Sequence, residues 1–254
     1  MSTIAGNRPL RTSNEPHHFI GRLSGQEALH RLNTFGFVVV NNYWSPQKCA
    51  MAREEIDHAM SQYRDKIISK PSEGTSGDER LFGIDRHYEL ASEFTHDPAL
   101  TGLLSAFTDT DLEPHFSVAG RLRYDSDTIR NSGGGWHRDR FQRTAKALIY
   151  LSDVDESNGP FSMLLGSNQY DLPLRDGTVT RYTDETIESF CDSVKTKPVI
   201  MTGQAGTLIL ADTSYIHRGQ NIEAGSRYSL TNYYFESSPQ NWAITQDKWG
   251  TWFI

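Results

Sequence analysis

Five stretches between residues 114 and 236 limit what this chain can fold into: "HFSVAGRLRY", "TAKALIYL", "FSMLL", "GTLILAD" and "RYSLTNYYF". Each is rich in branched and aromatic residues and bounded by Gly, Asn or Asp, which is how short antiparallel strands read. Ahead of them the pattern is helical. In "SGQEALHRLNTFG" Ser24 can cap a helix and Gly36 can end it. "SPQKCAMAREEIDHAMSQY" opens with Ser45 at the N-cap and Pro46 at the first helical position. Cys49, Ala52, Ile56, Ala59 and Tyr63 then recur at helical spacing. "DPALTGLLSAF" is a further short helix, and "FVVV" a buried strand.

Helices followed by a run of strands predict a mainly β protein: a double-stranded β-helix (jelly-roll, cupin-like) core with N-terminal helices packed outside it. The 254 residues suit a single domain. Within it we expect a loose arm over 1–20, a helical support region over 24–110 and a core over 114–236. The polar stretch 171–198 reads as a lid or binding insertion, and 69–79, "SKPSEGTSGDE", as a loop.

A net charge of −7 argues against a general nucleic-acid binder and against docking on an anionic membrane. "MSTIAGNRPLRTSNEPHHF" has no apolar core of a secretory signal. The longest apolar runs, "FGFVVV" and "GTLILA", are strand-sized. Cys49 and Cys191 stand far apart, outside any CxxC pattern, and read as thiols in a reducing compartment. The expectation is a cytoplasmic protein acting on a small molecule.

The chemistry starts at "SGGGWHRDRF", residues 132–141. On a strand, residues i and i+2 share a face, so His137 and Asp139 present an imidazole and a carboxylate side by side. A metal with open positions needs a third ligand, and two histidines with one carboxylate make the facial triad of non-haem Fe(II) oxygenases. An HxD pair alone more often marks surface residues bonded to nearby backbone. The second half of the chain adds His217 just after an apolar strand, then Arg227 and Ser229 at the start of another.

With those residues in place the sequence resembles the Fe(II)/2-oxoglutarate-dependent dioxygenases, in particular the phytanoyl-CoA dioxygenase branch. "ALIYLSDVDESNGPFSMLLGSNQ" matches that branch's L-x-D-x-x-x-x-N-G-P-x-x-x-x-x-G-S stretch between the proximal and distal ligands. The resemblance covers roughly 35–236. It implies Fe(II) held by His137, Asp139 and His217, with O2 and 2-oxoglutarate as co-substrates. Arg227 matches the residue that pairs with the far carboxylate of 2-oxoglutarate, a task suited to a planar guanidinium. Ser229, on the same strand face, could donate a hydroxyl to it. The interval from distal His to Arg is ten residues here, where several members have eleven, which fits a shorter turn. Halogenases of this fold carry Ala or Gly at the position of Asp139, so the resemblance favours hydroxylation; desaturation, cyclisation and epimerisation use the same site.

In "AKALIYL", Ala145, Ala147, Ile149 and Leu151 form an outer apolar face. The resemblance places Lys146, Leu148 and Tyr150 toward the pocket, where Lys146 and Tyr150 could bind the co-substrate or the substrate. A strand-end lysine reaching solvent is the alternative for Lys146. Arg121, Arg123, Arg130, Arg138, Arg140, Arg143 and Lys146, against Asp125, Asp127 and Asp139, give +4 over 26 residues. Such a patch would draw anions, including a substrate carboxylate, phosphate or carrier-linked thioester; ion pairs elsewhere on the surface would make it bland. Arg121, Arg123, Trp136 and Arg138 are the candidate substrate contacts. Strand alternation turns Arg138 and Arg140 away from the His137–Asp139 face unless the strand ends or twists there. The glycine run before Trp136 forms either a flexible entrance or a tight turn. Of the remaining histidines only His87 and His115 are candidates for the pocket wall, and the C-terminal tryptophans are expected to pack on the core. Two readings from other classes stand beside the oxygenase: a non-redox cupin-like enzyme using Zn²⁺ or Mn²⁺, and a non-catalytic jelly-roll binding protein. Arg227 and Ser229 speak against both.

Overall fold

Both sequence-level helix starts form as expected in the computed structural model, which describes residues 19–70, 75–124 and 135–254. Ser24 accepts a hydrogen bond from the Glu27 amide at the N-cap of α1 (Gly25–Phe35), a contact worth about 1 kcal/mol at such positions. Gly36 ends that helix at φ 78°, and a Cβ there would lie 2.7 Å from the Tyr215 ring, so only glycine fits. Ser45 caps α2 (Pro46–Gln62), whose buried face is Cys49, Ala52, Ile56, Ala59 and Met60. Two further helices, α3 (Glu89–Thr95) and α4 (Pro98–Thr108), complete the N-terminal layer.

A small hairpin of β1 (Phe19–Ile20) and β2 (Leu23–Ser24) precedes two antiparallel sheets. The larger uses β3 (Phe37–Val40), β4 (Ile68–Lys70), β5 (Thr75–Phe82), β6 (Leu112–Arg123), β7 (Ala145–Tyr150), β10 (Leu208–Asp212) and β12 (Ser226–Glu236), in the order β3-β10-β7-β12-β6-β5-β4. The smaller runs β11-β8-β9, from β8 (Phe161–Met163), β9 (Val199–Met201) and β11 (His217–Gly219). This two-sheet arrangement is the expected jelly roll. Alternation sorts the larger sheet's side chains. Ala145, Ala147, Ile149, Leu208, Leu210 and Leu230 face the helices and join their apolar residues in the main core. The opposite face looks toward the smaller sheet across the cavity described below.

Two expectations are corrected. The 69–79 segment is a hairpin, β4 paired with β5, and its tip at 71–74 lies outside the described residues. Its polar composition reflects paired charges: Asp78 is buried and chelated by Arg80, while Glu79 on the other face pairs with Arg121. The 171–198 insertion contributes no residue to the main cavity. It carries α5 (Asp184–Val194) and encloses its own apolar cluster of Trp136, Leu164, Tyr182, Ile187, Phe190 and Ile216. Its backbone pairs with the ligand segment, Arg138 N–H to Thr180 O at 3.0 Å and Tyr182 N–H to Trp136 O at 3.0 Å. It flanks the HxD segment, with Trp136 packed into its cluster and Arg181 bridged to His137.

At the C-terminus α6 (Pro239–Trp249) folds back over β6 and β12, with Trp249 against Phe116, Tyr233 and Phe235 and Trp252 against Phe82. Cys49 and Cys191 are free thiols. No helix among the described residues is long and apolar enough to cross a membrane. The expected N-terminal arm falls, up to residue 18, outside the described residues, as do Gly133, Gly134 and Arg130.

Candidate metal centre and cavity

His137 and His217 are locked by reciprocal backbone bonds, His137 N–H to His217 O at 3.0 Å and His217 N–H to His137 O at 2.8 Å. The Asp139 amide donates to Thr213 O at 2.9 Å, which holds the HxD segment extended so that residues 137 and 139 share a face. Each imidazole is oriented in the same way. Nδ1 of His137 lies 2.9 Å from Gly135 O and Nδ1 of His217 2.9 Å from Tyr215 O. Donation from Nδ1 leaves the Nε2 lone pair of each ring directed inward, the tautomer a metal requires.

One ligand atom from each of His137, Asp139 and His217 lies within 4.8 Å of the other two. Asp139 divides its oxygens: Oδ1 is 4.0 Å from His137 Nε2, and Oδ2 is 2.7 Å from the Lys146 ammonium. Burial pushes both imidazoles below their ordinary value, His137 further because His217 adjoins it. Burial alone would raise the Asp139 carboxyl, but the adjoining Lys146 ammonium outweighs it and holds it well below the usual carboxylate range. Two neutral imidazoles and one carboxylate, converging with their free lone pairs, fit a divalent first-row metal such as Fe(II). Among the described residues no other group of three such side chains has this geometry.

From this cluster a cavity of about 130 Å³ extends between the sheets. Arg227, Ser229, Thr231 and Tyr233 line it from alternate positions of β12, with Lys146 and Leu148 from β7 and Ile209 and Ala211 from β10. Arg227 is 5% exposed. Its Nη1 donates to the Gly159 carbonyl, while its Nε has no partner among the described residues. A buried guanidinium with an unspent donor is costly unless an anion completes it. Gly159 belongs to the Asn-Gly-Pro signature and sits at φ +71°, where a Cβ would come within 2.9 Å of Gln220 O. The signature thus shapes the carbonyl that holds Arg227. Gly120, opposite Ser229, leaves the hydroxyl room: a Cβ there would stand 3.0 Å from Ser229 Oγ.

Sequence reading missed Asp78 and Arg80, which line the Arg227 end of the cavity. Arg80 grips Asp78 through Nε at 3.2 and 3.1 Å and through Nη2 at 2.9 Å. Their i,i+2 spacing was the available signal, masked by the loop-like residues before them.

Several candidate contacts lie elsewhere. The Tyr150 hydroxyl is spent on the backbone, donating to Met201 O at 2.9 Å and accepting from Phe161 N–H at 2.8 Å. It ties β7 to the smaller sheet, and burial pushes its phenol up to about 12. Trp136 is buried in the insertion's cluster. Arg138 is 1% exposed and donates to Ser167 O and Tyr170 O, each at 3.1 Å, behind the ligand segment. Arg121 and Arg123 alternate with cavity-lining Gly120 and Leu122 and so project from the other face. There Arg121 binds Glu79 at 2.8 Å and Asp57 at 2.6 Å, and Arg123 binds Glu79 at 3.0 Å. Acidic partners on β5 and α2 account for them. His115 stacks on Trp242 at 3.9 Å, His87 meets the Tyr63 ring at a tilt with centroids 5.9 Å apart, and neither lines the cavity. Tyr150→Phe leaves a buried amide and a buried carbonyl unmet and lowers stability by about 1–3 kcal/mol in urea melts, with 2-oxoglutarate affinity unchanged. A weakened affinity at unaltered stability would instead place the hydroxyl at the ligand.

A jelly roll with a His–Asp–His cluster at one end of its cavity and a buried, incompletely paired arginine at the other defines a non-haem metal-dependent protein of the oxygenase type. The chain belongs to the phytanoyl-CoA dioxygenase (PhyH) family, whose model matches residues 32–228. No curated protein matches it in sequence. Among solved structures it is similar to the epimerase SnoN from nogalamycin biosynthesis, in complex with Fe3+, alpha ketoglutarate and nogalamycin RO (TM-score 0.68, 14% identity, 89% of this chain and 91% of that one). It is similar to EctD from S. alaskensis (TM-score 0.65, 17% identity, 85% and 78%). HygX from Streptomyces hygroscopicus, with nickel, 2-oxoglutarate and hygromycin B bound, aligns at TM-score 0.60 and 18% identity (84% and 87%).

Proposed function

We propose that this protein is an Fe(II)/2-oxoglutarate-dependent oxygenase that hydroxylates a small metabolite, with release of succinate and CO2. The observation that carries this reading is the pairing of a metal-competent His137–Asp139–His217 cluster with buried Arg227 across one cavity. Bound iron would supply the activation of O2 that couples 2-oxoglutarate decarboxylation to oxidation of a C–H bond.

The chain's own residues do the rest. His137, Asp139 and His217 would hold the metal, and Lys146, on Oδ2 of Asp139, fixes the carboxylate's rotation. Arg227, with Ser229 beside it, receives the far carboxylate of 2-oxoglutarate and so satisfies its open Nε. Leu148, Ile209 and Ala211 form a dry wall along the cavity that strengthens these charge contacts. The comparison with SnoN motivates epimerisation as a second outcome of the same site. The test is O2-dependent conversion of 2-oxoglutarate to succinate by the Fe(II)-loaded protein, followed by a metabolite library scored for increased succinate release. Absence of any Fe(II)-dependent succinate formation across the library sinks the reading.

A further inference from the structure

Of the cations counted between Arg121 and Lys146, those among the described residues disperse in the fold. Arg121 and Arg123 face α2, Arg138 is buried, and Lys146 binds Asp139. Arg143 donates to Phe107 O at 2.9 Å and to Asn33 at 3.3 Å, on the helical side. Arg140 is the exception. It is exposed, and among the described residues it has no ion pair, only a ring contact with Phe235 at 5.5 Å. A second cation, Lys248 of α6, sits 4.5 Å over the Trp249 ring and is likewise without an acidic partner among the described residues.

Both line a second cavity of about 100 Å³, together with Asp139, Lys146, Phe235 and Trp249. Lys146 is also part of the main cavity's wall, and Asp139 is a proposed metal ligand, so this second space adjoins the metal centre from another side. Trp249 is fixed by Phe235 at 5.6 Å and Phe116 at 5.3 Å, which makes it a rigid apolar wall rather than a loose tail. Two unpaired cations facing such a wall, in a chain of net charge −7, form a local trap for a negative group.

We infer that this second cavity is the substrate subsite and takes a small organic anion. Its carboxylate or phosphate lies on Arg140 and Lys248, and its apolar or flat body lies against Trp249 and Phe235. The inference rests on the oxygenase reading: once 2-oxoglutarate spans the main cavity from the metal to Arg227, a substrate must approach the metal from elsewhere. The subsite is assembled from the HxD segment and α6 and leaves the 2-oxoglutarate contacts untouched. With a carboxylate or phosphate both partners of each hydrogen bond carry charge and a bidentate contact to Arg140 is possible, a stronger grip than the neutral oxygen of an uncharged analogue can offer.

The test uses the whole protein loaded with Zn(II), which is redox-inert, and saturated with 2-oxoglutarate. Benzoate, phenyl phosphate and uncharged benzamide are titrated by ligand-observed NMR. Expected are binding of at least one anion, binding of benzamide at least about tenfold weaker, and a loss of about tenfold or more in anion affinity in the Arg140→Gln, Lys248→Gln variant. Calorimetry should show 2-oxoglutarate affinity retained in that variant, which reports an intact fold and main cavity. Preference between the two anions distinguishes a phosphate from a carboxylate subsite. Benzamide binding as tightly as the anions, an unaltered anion affinity in the variant, or no binding by either anion while 2-oxoglutarate binds, overturns the subsite. Failure of 2-oxoglutarate to bind the Zn(II) protein at all overturns the oxygenase reading, and the subsite with it.

Discussion

His217→Ala is expected to lose Fe(II) binding and all 2-oxoglutarate turnover while the metal-free protein still folds. The remaining His137 and Asp139 supply two donors, and two protein ligands do not hold Fe(II) in a facial site. Changes to residues that merely orient ligands typically cost about 10–100-fold in metal affinity, so removal of a ligand should exceed that. His217 anchors its strand through the backbone, with its amide and carbonyl both paired to His137, and alanine keeps both bonds. The loss should therefore be local. Calorimetric titration with Fe(II) under anaerobic conditions measures it, and a thermal melt of the metal-free variant controls for folding. Near-native Fe(II) affinity in a folded variant would remove His217 from the ligand set.

Arg227→Lys is expected to raise the Kd for 2-oxoglutarate at least tenfold, about 1.4 kcal/mol or more, with Fe(II) affinity unchanged. Lysine keeps the charge but not the planar fork. In the wild type one nitrogen is committed to the Gly159 carbonyl and Nε remains open, so a single side chain can grip the Asn-Gly-Pro turn and an anion at once. An ammonium at that depth must choose. A Kd that does not move would shift the anchor to another cation of the cavity, with Lys146 or Arg80 as the first to test.

What the sequence revealed and what it hid follow from how local each signal is. The caps at Ser24 and Ser45 and the stop at Gly36 are local, and they form as read. The ligand segment depends on a period of two, which holds even though His137 pairs only through isolated bridges and Asp139 through a backbone hydrogen bond to Thr213, rather than in a long strand. The same period placed Arg121 and Arg123 on one face but could not say which. That choice belongs to Glu79 and Asp57, which are distant in sequence. Tyr150 faces inward as expected, yet its hydroxyl is claimed by two backbone groups no pattern predicts. The β5 strand was hidden because its polar residues look like a loop until their partners are known. Lys248 meets Arg140 only because α6 folds back across the sheet.

In the proposed reading one cavity holds a metal and 2-oxoglutarate together, between the His–Asp–His cluster and Arg227. The most direct measurement is an anaerobic titration of the metal-free protein, first with Fe(II) and then with 2-oxoglutarate, followed by visible absorption. Expected is a weak charge-transfer band that appears only when both are present, saturates at one equivalent of iron, and is missing in His217→Ala. A 2-oxoglutarate affinity that is the same with and without Fe(II), with no new band, would contradict it.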